Sequence, residues 1–481
     1  MVMCLSPIAL SQINSSASVK TYGAKGDGQT DDTQAIKKAF AGVSQNGGKV
    51  YFPPGVYLTN IIDIRPQKGT SIEITGEPGK SKIVKRSSDP MNIALFFCEV
   101  SNVNLDFKNL TLVGSASSKI GKWKTNGKDI DVTESTNGIT GWNLASLTVT
   151  LCQISDFHGK GIACFSSGKF IANNNVISNV SGSGINGHRV NYMETINNSI
   201  TNTGFLADTF ILDGKQHNKS TFYPAIKFGD GIESESNSFI AKENKIVNPG
   251  RCGIVHDLAK DLGYQNSSAL VSNNVILMNS DNINNNNPPA GMWFEQSDKV
   301  EVVGNKVTLK KSWSKIVSGI RFYDVTSSIV CRNNIIDANG YNHLSDGGIG
   351  IYEPESGSVV IEKNTVSGNF IAGVAISYGL HQSKIDNLAI SGNQFTTGPK
   401  SNATTGIQIS IDGKKQFPAV TNISGNTMSA SITKPFNLFY YGSQPVGIPK
   451  KSTLKMSNNA VNGVIGNKLP KDLPGLKLLS Q

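Results

Sequence analysis

Glycine and apolar residues recur along most of the chain in one short unit: glycine, an apolar residue, any residue, a small or apolar residue, then a polar or aromatic one. Its glycines are Gly138, Gly161, Gly184, Gly204, Gly231, Gly253, Gly291, Gly319, Gly348, Gly373 and Gly406, spaced from 20 residues (Gly184 to Gly204) to 38 (Gly253 to Gly291). A second unit, Asn-x-apolar, falls between them at Asn174, Asn198, Asn244, Asn273, Asn305, Asn333, Asn364, Asn393, Asn426 and Asn458. Two interleaved series in fixed order predict one structural unit per turn, whose short strands bury their apolar side only by stacking on their neighbours. The architecture this implies is all-β: a single-stranded right-handed parallel β-helix. A sandwich built on the same turn residues would repeat its strands every ~8–12 residues, shorter than this double period.

Strand side chains alternate between faces, so residues at +1 and +3 from each glycine are expected inside and those at +2 and +4 outside. Ile162, Ile185, Ile232, Ile254, Ile320 and Ile349 then form an aliphatic column, and the asparagines form a ladder of side-chain amides at a turn. The open end of such a coil exposes core and strand edges and needs a plug. Asp31 and Gln34 stand at capping-box spacing, and Ile36, Phe40 and Val43 mark one face of a helix near Asp32–Val43 that Gly47-Gly48 ends. Lys49–Phe52 and Val56–Leu58 read as strands around Pro53-Pro54-Gly55. The expected organisation is a signal-peptide remnant over 1–18, whose stretch Val2 to Leu10 is largely apolar, a cap over 19–60, the β-helix over 61–460 and a tail over 461–481. Polar insertions interrupt the repeat at Ser117–Glu134, Lys215–Lys219 and Asn282–Pro289.

Hydrophobic residues make up 38% of the 481 and charged ones 17%, with 49 glycines. That balance suits a turn-rich β protein and not a coiled coil or a disordered chain, and no stretch is apolar enough to span a membrane. The cysteines Cys4, Cys98, Cys152, Cys164, Cys252 and Cys331 show neither C-x-x-C nor metal-ligand spacing. Cys164 falls at an inward position and Cys152 where a ladder asparagine would stand, so buried free thiols are expected. The net charge of +10 is compatible with an anionic glycan. No nucleic-acid-binding motif accompanies it, and basic surface alone does not make one.

The cap carries a specific likeness. Val19-Lys20-Thr21-Tyr22-Gly23-Ala24-Lys25-Gly26-Asp27-Gly28, then Thr30-Asp31-Asp32, then Tyr51-Phe52-Pro53-Pro54-Gly55 resembles the opening segment of the pectate-lyase superfamily. That group includes polysaccharide lyases, uronan epimerases, hydrolases and phage tailspike depolymerases. The resemblance implies the right-handed β-helix and a polysaccharide substrate, and it does not choose the reaction. The expected location is secreted, periplasmic or virion-associated, with homotrimer assembly left open.

Read rung by rung, the +4 position gives Trp142, Phe165, His188, Asp208, Glu235, Asp257, Glu295, Tyr323 and Tyr352, and +2 adds Asn186, Glu233, Trp293 and Arg321. Aromatic platforms at both ends suit the apolar faces of sugar rings. A solvated sheet face is commonly polar, which accounts for scattered Lys, Ser and Thr. It accounts poorly for four successive carboxylates, because adjacent strands lie ~4.8 Å apart and like charges at that spacing repel. Such a run calls for a proton, a cation or a function, and its pKa values should be pushed apart. The expected catalytic group is His188, Asp208, Glu235 and Asp257, with Glu235, flanked by two acids, as proton donor. Glu233, Glu295, Trp293, Arg321, Tyr323, Tyr352 and Arg189 are expected to bind substrate.

Three readings follow. The first is glycoside hydrolysis by paired carboxyls, retaining at ~5 Å separation and inverting at ~6.5–9.5 Å. The second is proton abstraction at C5 of a uronate, by a lyase or epimerase, through His188. Here Gly184-Ile185-Asn186-Gly187-His188 followed by Gly204-Phe205-Leu206-Ala207-Asp208 is similar to the catalytic coils of mannuronan C5-epimerases, which carry Asp-Pro-His and then an Asp one coil later. Asn186 stands where that triplet has Asp, Gly187 where it has Pro, and Ser183 where some members have a catalytic Tyr. The third is glycan binding without catalysis. Hydrolysis is preferred, since a dense acid column suits a neutral sugar and a uronate would need Arg189, Arg321 or calcium to offset it. No cofactor is expected, save calcium among the hard oxygen ligands Asp208, Glu235 and Asp257 if the enzyme is a lyase.

Overall fold

The structure, a computed structural model, describes residues 15–86, 94–114, 121–125, 128–132, 137–204, 209–212, 215–218, 229–257, 266–278, 290–310, 318–339, 344–355, 357–378, 384–397, 405–412, 418–441, 453–465 and 477–480. The stretch Val2 to Leu10, the insertion Asn282–Pro289 and most of the tail lie outside the described residues. Regular coils contribute three short strands apiece. Asn137–Trp142, Ser146–Thr150 and Gln153–Phe157 pair in parallel with Ile162–Phe165, Lys169–Asn173 and Val176–Val180 of the next coil, and the pattern repeats to Thr453–Ser457. This is the parallel β-helix that the interleaved series predicts.

The first strand of each coil carries the site. These strands are β1 (Asn137–Trp142), β2 (Ile162–Phe165), β3 (Ile185–Ile196), β4 (Ile232–Lys242), β5 (Ile254–Asp257), β6 (Ala290–Glu295), β7 (Ser318–Tyr323) and β8 (Gly347–Tyr352). Their +1 residues stack in register as Ile139, Ile162, Ile185, Ile232, Ile254, Met292, Ile320 and Ile349, all buried. The glycine that opens each unit is enforced by packing. A Cβ on Gly231 would stand 2.5 Å from Ile246 and 2.6 Å from the Gly253 carbonyl oxygen, so only a bare backbone fits between rungs.

The asparagine ladder exists, with a correction in its membership. Asn175, Asn198, Asn244, Asn274, Asn305, Asn334, Asn364, Asn393 and Asn426 each pass an Nδ2–H to the Oδ1 of the next, at 2.9–3.1 Å, and the series ends at Asn459. Asn174, Asn273, Asn333 and Asn458, expected in the ladder, stand one residue earlier with φ of 55–57°. Asparagine tolerates that left-handed conformation better than most residues, so each Asn-Asn pair splits the work between bending the chain and bonding along the stack. Cys152 occupies the ladder's first place, as expected, and its N–H donates to Asn175 Oδ1 at 3.0 Å. The five described cysteines are buried free thiols; Cys4 lies outside the described residues.

The plug is α1 (Thr33–Val43), which buries Ile36, Phe40 and Val43. The capping box is not formed. Asp32 is the N-cap residue, and its carboxylate turns away to accept the backbone N–H of Lys25 and Gly26 at 2.7 and 3.1 Å. Ser16–Ser18 already pairs with Lys49–Tyr51. Ser117–Glu134 contains an antiparallel hairpin, Gly121–Thr125 with Lys128–Val132. No helix among the described residues is long and apolar enough to cross a membrane.

One expected rung is absent. β3 pairs directly with β4, matching Ile185 to Ile232 and His188 to Glu235, so Gly204 opens no strand of the stack. Its φ is +66°, and a side chain there would meet the Gly250 backbone at 2.9 Å. This left-handed, closely packed glycine ends a coil, and the chain then makes an antiparallel hairpin, Thr209–Leu212 with Lys215–Asn218, before Gly231 opens β4.

Candidate active site

The outward +4 side chains of β1 to β8 make one row, aromatic at both ends. Trp142, 38% exposed, stacks on Phe165 with centroids 4.7 Å apart and planes 23° apart. The Lys160 ammonium sits over Phe165 at 5.3 Å, close enough for a cation–π attraction. His188 follows on the next rung, 6.0 Å from Phe165, and its Nδ1 lies 2.5 Å from Glu235 Oε2. Beyond Glu235 come Asp257 and, paired with it in register, Glu295.

These carboxyls are not equivalent. Burial pushes Asp257 up to about 7, and the charges of Glu295 and Glu235 on the adjoining rungs push the same way, against a weaker pull from Arg251. Burial also raises Glu295, against the pull of Arg321. Loss of solvation and like charge both disfavour ionisation, so the crowded middle of the row holds a proton that an isolated carboxylate would have lost.

A layer of paired polar groups lies beneath. Glu233 is only 9% exposed and accepts hydrogen bonds from Ser183 Oγ and Asn186 Nδ2, both at 2.8 Å. Asn186 Oδ1 accepts one from Lys160 Nζ at 2.7 Å. Asp230, fully buried, is held by the Arg251 guanidinium at 2.9 and 2.7 Å and by the Cys252 N–H at 2.8 Å. Inside the coil, His256 stacks on Phe239 at 5.2 Å, and its Nδ1 contacts Ser234 Oγ at 3.2 Å. Burial lowers His256 to about 4, so it is a neutral core residue.

At the far end the Arg321 guanidinium is held between two rings, 4.7 Å from the centroid of Trp293 and 5.0 Å from that of Tyr352. Asp346 Oδ2 lies 3.6 Å from its Nη1. Among the described residues no three His, Cys or carboxylate side chains converge closely enough to hold a metal ion.

Residues 137–395, more than half of the chain, match the family model described as the right handed beta helix region. The chain belongs to the right-handed β-helix family. Residues 16–211 of this β-helix protein also match the model for rhamnogalacturonase A/epimerase, pectate lyase-like, in keeping with the likeness of its cap. Mannuronan C5-epimerase AlgE2 of Azotobacter vinelandii is 27% identical over 252 residues, covering 49% of this chain and 22% of its own. The preneck appendage protein of Bacillus phage PZA is 32% identical over 136 residues, covering 28% and 14%. The chain thus spans less than a quarter of the length of these relatives. Among solved structures, the A-module of Azotobacter vinelandii mannuronan C-5 epimerase AlgE4 covers 90% of this chain and 99% of its own, with 14% identity and a TM-score of 0.47.

In this β-helix protein His188, Glu235, Asp257 and Glu295 come together on consecutive rungs, with Tyr323 and Tyr352 continuing the row. Asp208 lies outside the described residues, and the rung that would have placed it between His188 and Glu235 does not exist. That changes the expected proton donor: Glu235 has His188 on one side, so Asp257, between Glu235 and Glu295, has the most negative surroundings. Glu233, expected to bind substrate, is buried with its carboxylate taken up by Ser183 and Asn186. Arg189 is exposed at a bulge where β3 shifts register against β4, with φ +56°. Trp293 is half-buried beneath Arg321. Sequence reasoning missed Lys160, Asp230, Arg251 and Asp346, and took Ser183 only as the place of a catalytic Tyr in some epimerases, not as a partner of Glu233. All stand one or two residues before a repeat glycine, outside the +1 to +4 positions from which the row was read.

Proposed function

We propose that this β-helix protein cleaves a polysaccharide by glycoside hydrolysis in the groove over β1 to β8, with Asp257 as proton donor. The observation that carries the reading is the Asp257 carboxyl, pushed up to about 7 between two neighbouring carboxyls. Such an acid is protonated near neutral pH yet ready to release its proton, which a glycosidic leaving oxygen needs. Asp257 protonates that oxygen as the bond to C1 breaks. Glu295 or Glu235 then attacks C1, or takes the proton of the water that does. Adjacent rungs hold backbones ~4.8 Å apart, near the ~5 Å carboxyl separation of retaining enzymes, so retention is the expected outcome. The exposed face of Trp142 offers a sugar platform. The match to a pectate lyase-like family and the similarity to a mannuronan epimerase support a polysaccharide substrate. The similarity to a phage appendage protein supports a place on a virion or outside the cell.

A second reading rests on the His188–Glu235 pair. A carboxylate that fixes one imidazole nitrogen leaves the other to take a proton, so His188 would abstract the C5 proton of a uronate in a lyase or epimerase. One experiment separates the readings. The protein is incubated with a polysaccharide panel, with reducing ends and the absorbance of unsaturated uronates read together. Reducing ends without absorbance support hydrolysis, and both together support a lyase. Neither signal, with an altered uronate configuration by NMR, supports an epimerase. No change in any polysaccharide of the panel would remove the enzymatic proposal.

A further inference from the structure

A second groove lies on another face of the coil, apart from the acid row. It encloses about 800 Å³ and runs over the second strands of the first coils, Gly48–Phe52, Ser71–Gly76, Asn104–Lys108 and Ser146–Thr150. Its floor is one outward column in register: Ser16, Lys49, Glu73, Asp106 and Thr148. Beside that column Ser146 Oγ donates to Asn104 Oδ1 at 2.7 Å, and Asn104 Nδ2 donates to Ser71 Oγ at 3.1 Å. The corners that lead into these strands make the wall, and Gln45, Asn46, Gln67 and Lys68 line it. Backbone bonds stack those corners: Gln67 N–H to the Ser44 carbonyl at 2.6 Å, Gly69 N–H to the Asn102 carbonyl at 2.9 Å, and Asn104 N–H to the Thr70 carbonyl at 3.0 Å.

The polar groups are concentrated where the groove is. Past Thr148 the next outward position is Ile171, and after Glu194 come Ile240 and Leu270. The carboxylates of the floor are neutralised in place. Lys49 Nζ lies 3.3 Å from Glu73 Oε1, and Lys108 Nζ lies 2.5 Å from Asp106 Oδ2.

We propose that this groove binds a neutral oligosaccharide, as a second glycan site separate from the acid row. A charged ligand would meet no excess of the opposite sign. An extended peptide would need a free strand edge, and the floor strands are already paired on both sides. Sugar hydroxyls both donate and accept. The lining answers both needs, because an ion-paired carboxylate keeps further lone pairs while the ammonium, amide and hydroxyl groups donate. Five rungs span roughly 19 Å, room for a few sugar units end to end. The stacked corners hold the wall in place before the ligand arrives, which lowers the cost of binding. Among the described residues no aromatic ring lines the groove. Affinity therefore rests on hydrogen bonds and should grow with the number of units. A polymer held here stays beside the row without competing for it, whichever reaction the row performs.

Amide hydrogen exchange read by mass spectrometry locates the site. The full chain carrying Asp257→Asn, so that no probe is consumed, is exposed to cellohexaose, maltohexaose, laminarihexaose, hexagalacturonate and D-glucose, each to about 20 mM. The expected result is a saturable slowing of exchange over residues 44–49 and 66–71 with at least one neutral hexasaccharide. Its half-saturating concentration should be at least tenfold lower than for glucose or hexagalacturonate. Asn104→Arg, which lays a long side chain across the middle of the groove, should raise that concentration at least tenfold. Melting temperatures establish folding, and Thr148→Arg, which fills the groove one rung on, decides if Asn104→Arg does not fold. No slowing in those segments with any neutral hexasaccharide, slowing undiminished in the arginine variant, or a stronger response to hexagalacturonate overturns the site. Slowing over residues 183–190 reports the acid row instead and bears only on the enzymatic reading. Cleavage of the polysaccharide panel without protection of 44–49 and 66–71 keeps that reading and removes the second site, and the converse result keeps the second site alone.

Discussion

Replacing Asp257 by Asn should change the pH dependence of stability in a defined direction. In the folded protein the Asp257 carboxyl lies at about 7 instead of its ordinary 3.8, through burial first and the charges of Glu295 and Glu235 next. The native state therefore holds a proton that the unfolded chain has released across that interval, and stability falls as pH rises through it. The contribution is fully present below the unfolded value and gone above the folded one. About three units at ~1.4 kcal/mol each give an upper value of about 4 kcal/mol, and relaxation of a partly solvated site reduces this to about 2–3 kcal/mol. Asparagine keeps the shape and cannot ionise, so the variant escapes the penalty. Relative to the unaltered protein it should gain about 2–3 kcal/mol between pH 4 and pH 8, read from urea midpoints with a common m value. A difference that stays constant within ~0.5 kcal/mol over that range would show that Asp257 ionises normally, and the proton-donor argument would fall with it. If hydrolysis is the reaction, turnover in the same variant should drop by roughly 10²–10⁴.

Ile232→Ala opens a cavity in the fully buried aliphatic column and should cost about 2–5 kcal/mol by denaturant titration; a loss near zero would contradict the register. Asn305→Ala removes the acceptor of the Asn274 backbone and side-chain N–H groups and the donor to the Val271 carbonyl, and should lower stability by at least about 2 kcal/mol by the same titration. His188→Ala should abolish activity if His188 abstracts the proton, and lower it less than Asp257→Asn if hydrolysis is the reaction; full activity removes the second reading.

The coil and its inward column were legible because both are periodic: a glycine that no side chain can replace, followed by a residue that must point inward, leaves a mark in every turn. The misreadings fell where the local pattern is the same but the geometry is not. Gly204-Phe205 looks like Gly184-Ile185, yet Gly204 is held at positive φ against Gly250, which only the tertiary contact decides. Asn174 and Asn175 cannot be told apart in sequence, since both are asparagines and only φ separates the bend from the ladder. Glu233 has the alternation of an outward residue, but Ser183 and Asn186 both donate to its carboxylate, and Ser183 belongs to the corner before its glycine. The polar layer draws on those corners as well as on the strands, and the residue type at a corner changes from coil to coil.

His256 and Asp257 show how one short strand serves both purposes. Alternation sends His256 into the coil against Phe239 and Asp257 out toward the groove. Burial keeps His256 uncharged at neutrality and holds the Asp257 proton up to about pH 7, and the two titrate with opposite consequences. A histidine lowered to about 4 contributes stability above its unfolded value, lost as pH falls from about 6.5 through about 4, which is worth about 3 kcal/mol. Asp257 gains stability over nearly the same descent. The two contributions oppose each other between about pH 7 and pH 4, so this pair together should add little net change in melting temperature there. Either substitution alone should tilt the balance. Asp257→Asn should leave the histidine loss exposed and melt lower as the solution is acidified. His256→Phe, which keeps the ring stack on Phe239, should melt higher. The double variant should track the unaltered protein. Equal acid profiles in the two single variants would mean that neighbouring groups dominate the titration, and that this strand does not hold two neutral groups at once.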